Sequence, residues 1–160
     1  MKTLIFTLCL LFSVSAIGQN QIRNLTQWNL SGFVNDCLKE LKIESTIICI
    51  QEYDGLILGK YLAVSFTHDT SFAIGISNTM KFSEIQKKIS HELIHIKQLK
   101  NNELIVLDTN TIIFNDVKYS VSSNSHYADK HEIEARIKGE QLFKKYEVRY
   151  YIMPPYLSNN

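Results

Sequence analysis

Five consecutive residues, His91-Glu92-Leu93-Ile94-His95, set an acid beside the first of two histidines four positions apart. On an α-helix that spacing puts both side chains on one face, so two imidazoles can reach a common ion. Neutral imidazole suits zinc, and a catalytic zinc keeps one coordination position open for water or substrate. Glu92, projecting beside the pair, is placed to take a proton from a water that the ion activates. At about 100° per residue, Ile85, Ile89, Leu93, Ile96 and Leu99 form one apolar arc, with Glu92 inside it and both histidines along its edge. An ionised carboxylate facing a core is unfavourable unless it is paired or has a chemical task. The competing reading is a surface helix carrying unrelated His and Glu residues. A structural zinc site, or one that has lost catalysis, would carry the same five residues.

A catalytic zinc takes three protein ligands, and the downstream candidates are His126, His131, Glu132 and Glu134. If residues 129–147 are helical, Glu132 shares a face with Ala135, Gly139, Leu142, Phe143 and Tyr146, whereas Glu134 points toward Lys138 and Gln141. A carboxylate in an apolar stripe, followed by two small residues, suits a helix packed closely against another. Glu132 is therefore the preferred third ligand. Its rival role is to close a capping box with Asp129 at the helix start, and one carboxylate does not readily do both. Glu134 reads as a solvated helix residue, and His131 as a surface or pocket-lining one. His126 and Tyr127 are the candidates for stabilising an oxyanion, each with packing as its alternative. His68, in an HDT segment, reads as a polar loop residue.

Around these residues the hydrophobic spacing predicts a helix over 27–42, a β-branched strand over 44–52, and a turn at Asp54-Gly55. Two strands are expected within 57–77, broken at His68-Asp69-Thr70. The motif helix spans 83–100, opened by a Ser83/Gln86 capping box and stopped at Asn101-Asn102. Strand segments over 103–122 precede the second strong helix, and the tail from Met153 reads as irregular surface chain. With no repeat or linker, the pattern is one α+β domain.

Residues 1–18 carry Lys2, an apolar run from Leu4 to Val14 too short to span a bilayer, and small residues at Ser15, Ala16 and Gly18. That is the pattern of a secretory signal peptide, leaving a chain of 19–160 secreted or exported to a periplasm. Its removal takes one Lys from 17 basic and 16 acidic residues, so the remainder is balanced. The charge gives no case for nucleic acid or an acidic membrane surface. Cys37 and Cys49 remain, and an oxidising compartment permits a disulfide between them, with two buried thiols as the equal alternative.

His91 to His95, followed by Glu132-Ile133-Glu134-Ala135, resembles the gluzincin branch of the zincin metallopeptidases, whose third ligand is a Glu on a later helix in an E-x-x-A or E-x-x-x-D setting. Glu132 with Ala135 fits the first form. The resemblance implies a small zincin-like domain, its active-site helix packed between a mixed β-sheet and a second, C-terminal helix. It also implies a strand, at 61–67 or 71–77, edging the substrate cleft. Gln98 and Asn101 stand where the metzincin extension needs Gly and His, which sets that branch aside. The expected activity is zinc-dependent hydrolysis of a peptide or protein substrate with Glu92 as general base. The alternatives are an exported, catalytically inactive zincin-like binding module and an α+β adhesion or structural protein.

Overall fold

In the computed structural model, the described residues are 19–54, 63–68, 71–108, 111–120 and 129–150. Strand β1 (Gln21–Leu25) leads into helix α1 (Ser31–Glu40), then β2 (Ile47–Tyr53), β3 (Ala63–His68) and β4 (Ser71–Ser77). Helix α2 (Phe82–Lys100) follows, then β5 (Leu104–Asp108), β6 (Thr111–Phe114) and β7 (Val117–Ser120). Helix α3 (Lys130–Tyr146) runs into a 3₁₀ turn, Glu147–Tyr150. The result is a small α+β structure with two sheets. The first, ordered β1-β2-β4-β3, is mixed: β1, β2 and β4 run parallel, and β3 pairs antiparallel to β4 at the edge. The second, β5-β6-β7, is an antiparallel meander.

The main core joins α1 (Phe33, Val34, Leu38), β2 (Ile48, Ile50), β4 (Phe72, Ile74, Ile76), α2 (Ile85, Ile89, Leu93, Ile96) and α3 (Ala135, Leu142, Tyr146). The predicted apolar arc of α2 is thus the face that packs, and α2 contacts β3 and β4 on one side and α3 on another. Leu104, Ile112 and Phe114 make a smaller core in the second sheet, with Leu99 at its base. Ion pairs from Lys145 to Glu40 (2.7 Å) and from Arg149 to Asp36 (3.2 Å) tie the end of α3 to α1.

Several local expectations are corrected. Helix α1 begins at Ser31 rather than Gln27, because Asn24 and Thr26 hold the chain in a turn. The Asn24 side chain donates to the Trp28 carbonyl, and Thr26 Oγ1 accepts from the Trp28 N–H at 3.1 Å. Such bonds compete with the helical ladder. The Ser83/Gln86 capping box does not form. The N-cap is Lys81, whose backbone N–H donates to Glu84 Oε2 at 3.0 Å, and Gln86 lies on the buried face with neither amide atom bonded. His68 is not in a loop but closes β3 opposite Ser71. Cys37 and Cys49 are both buried and form no disulfide. Side chains alternate across a strand, so Cys49 points away from Ile48 and Ile50, which join Cys37 in the core. Burial pushes the Cys37 thiol up to about 12. The signal-peptide residues 1–18, the oxyanion candidates His126 and Tyr127, and the tail from Met153 lie outside the described residues. Among those described, no helix is long and apolar enough to cross a membrane.

One glycine fixes the helix spacing that matters most. A Cβ built on Gly139 of α3 falls 2.9 Å from His91 Cα and 3.0 Å from His91 N. Backbone meets backbone there, so neither side can yield by a rotamer change. Gly139→Ala is expected to lower the thermal midpoint, by overpacking worth about 1–3 kcal/mol. Helix propensity alone predicts the opposite, a gain of roughly 0.5–1 kcal/mol. A raised midpoint would show that the helices separate freely.

Candidate metal centre

His91 and His95 stand one helical turn apart on α2, and Glu132 sits in the first turn of α3. Close packing at Gly139 brings the two helices together, and the three side chains converge. His91 Nε2 and His95 Nε2 are 3.1 Å apart. Glu132 Oε2 lies 3.3 Å from His91 Nε2, and Glu132 Oε1 lies 3.3 Å from His95 Nε2. Among the described residues these three form a group able to hold a metal ion.

The spacing can be tested against an ion. With metal–ligand bonds of about 2.0–2.1 Å, two vertices of a tetrahedron lie roughly 3.3–3.4 Å apart. The two imidazole nitrogens stand 3.1 Å apart and each has a carboxylate oxygen at 3.3 Å, close to those separations. His91, His95 and Glu132 are the residues that would hold such an ion, and a catalytic ion would keep a further position for water or substrate. Two imidazoles and one carboxylate suit a nitrogen-preferring transition metal over calcium, which wants six to eight oxygens at longer range. The site is sheltered but reachable: side-chain exposure is 24% for His91, 9% for His95 and 13% for Glu132. An open groove of about 520 Å³ reaches His91 between α2 and α3, bordered by Lys87, Lys88, Arg136 and Glu140.

The competition between Glu132's two roles resolves toward the histidines. Asp129 is the N-cap of α3 as expected, but its side chain makes no capping bond, and the capping box is not formed. Glu92 is 7% exposed, as its place in the apolar arc predicts. His131 is buried rather than superficial: its Nε2 lies 3.6 Å from Glu132 Oε1, and its ring stacks at a tilt between those of His95 and Phe114.

Two residues outside the expected ligand set complete the surroundings. Gln98, fully buried, places its Oε1 2.9 Å from His95 Nδ1. Its Nε2 donates to Glu134 Oε2 at 2.9 Å and to the His131 carbonyl at 3.2 Å. Glu134 is therefore not merely solvated. Burial works against its charge, but the bonds from Lys138 and Gln98 prevail and hold its carboxyl below the usual range. The available signal was spacing, since Gln98 lies three residues after His95 on the same helical face.

Electrostatics make the metal-free site sensitive to protons. Burial opposes the charged form of His95, but the Glu132 bond and charge, the Glu92 charge and Gln98 outweigh it and raise His95 above its ordinary 6.5. A raised imidazole value stabilises the fold fully below about 6.5, and that stabilisation is lost as pH climbs through the higher folded value. Metal-free protein should thus show a falling urea midpoint as pH rises from about 6.5. A bound divalent ion competes with the proton for Nε2 and should reverse the slope. The same slope with and without metal would argue against His95 as a ligand.

Compared with family models, curated proteins and solved structures, the chain matches none.

Proposed function

We propose that this protein is an exported zinc-dependent metallohydrolase of gluzincin type, acting as a peptidase. The observation that carries the reading is the convergence of two imidazole nitrogens and one carboxylate, from two helices, at the spacing of a tetrahedral ion. His91, His95 and Glu132 would hold the zinc. When bound, zinc supplies a Lewis acid for the scissile carbonyl and a water whose pKa falls to about 7.

The chain's own groups do the rest. Glu92 follows His91 on α2 and is shielded from bulk solvent, so its carboxylate has few competing partners when it accepts the attacking water's proton. It then returns that proton to the leaving nitrogen. Among the described residues β3 is an edge of the mixed sheet while β4 is paired on both sides, so of those two strands β3 is the one that would accept an extended peptide as an added strand.

The test is metal content together with digestion of a mixed peptide library. About one zinc per chain, with cleavage abolished by chelation, is the expected result. Zinc without cleavage of any peptide would favour the non-catalytic binding module. Purified protein that takes up no zinc would overturn the proposal.

A further inference from the structure

We infer that Gln98, anchored by Glu134 and the His131 carbonyl, selects the tautomer and aim of His95 and so is a positioning residue of the metal centre. This rests on the metal reading above. The Glu134 carboxylate and the His131 carbonyl can only accept hydrogen bonds, so the Gln98 amide nitrogen must face them, at 2.9 and 3.2 Å. That leaves the amide oxygen toward His95 Nδ1 at 2.9 Å. An amide oxygen can only accept, so Nδ1 carries the proton. In a neutral ring the lone pair is then on Nε2, the atom that faces His91 and Glu132. The chain of partners runs from Lys138 through Glu134 and Gln98 to the imidazole. It spans both helices and leaves the amide no second orientation with equal bonding. Outer partners of a ligating histidine fix its ring and raise its basicity.

A purely structural role for Gln98, as a tie between α2 and α3, makes different predictions. Q98M preserves volume in the buried position, and E134Q preserves an acceptor for the Gln98 amide, whereas E134A does not. Zinc affinity, measured by competition with a chromogenic chelator, should fall about 10–100-fold in Q98M and E134A and stay near wild type in E134Q. The second readout needs no metal. In an E132A background, which removes the competing acceptor at Nε2, ring nitrogen shifts should show His95 holding its proton mainly on Nδ1. Adding Q98M should move that proton toward Nε2. Unchanged zinc affinity in both Q98M and E134A, or an unchanged tautomer population in E132A/Q98M, would overturn the inference. A wild type that takes up no zinc would sink the metal reading instead, and the ring shifts would still decide whether Gln98 governs His95.

Discussion

Replacing Glu132 by alanine should lower zinc affinity by well over 100-fold, more than the 10–100-fold that loss of an outer partner brings. The carboxylate is the acidic member of the candidate triad, and its two oxygens face one histidine each at 3.3 Å. Two imidazoles alone leave the ion half-coordinated by protein. Glu134→Ala is the informative control, because Glu134 is two residues away on the same helix and reaches His95 through Gln98. Calorimetric titration of both variants should rank them wild type, then Glu134→Ala, then Glu132→Ala. Equal losses in the two variants, or a larger loss at Glu134, would remove Glu132 from the ligand set.

Glu92→Gln should leave zinc content unchanged and reduce turnover by about 10²–10⁴-fold, the range ascribed to a positioned general base. The substitution keeps the shape of a buried side chain and deletes the basic oxygen, so packing offers no explanation for the loss. Turnover of a cleaved library peptide, with zinc quantified in the same preparation, makes the comparison. Retained hydrolysis with full zinc would assign the base to another group. Lost zinc would mean that Glu92 matters to the ion rather than to the proton.

The site was more legible than the sheet that supports it. The α2 and α3 boundaries could be read to within a residue or so, because long apolar arcs and clear stops declare them. Glu132 could be preferred over Glu134 because Ala135 and Gly139 mark the contact face, and both are buried. Strand β1 was missed, since Gln21–Leu25 carries no clean alternation and exists through parallel pairing with Ile47–Gln51. The start of α1 was misplaced because side-chain bonds at Asn24 and Thr26, not hydrophobic spacing, decide it. Gln98 could not be assigned for a different reason. Its role depends on Glu134 and the His131 carbonyl, which lie on another helix that follows a small sheet in the chain.

That small sheet has a consequence of its own. Two members of the candidate triad, His91 and His95, precede β5, β6 and β7 in the chain, and the third, Glu132, follows them. An ion seated among the three would therefore act as a removable cross-link, closing the intervening meander into a ring and restricting the unfolded chain as a disulfide does. With no disulfide between Cys37 and Cys49, that coordination ring would be the fold's staple, making the molecule's persistence depend on the metal supply around it.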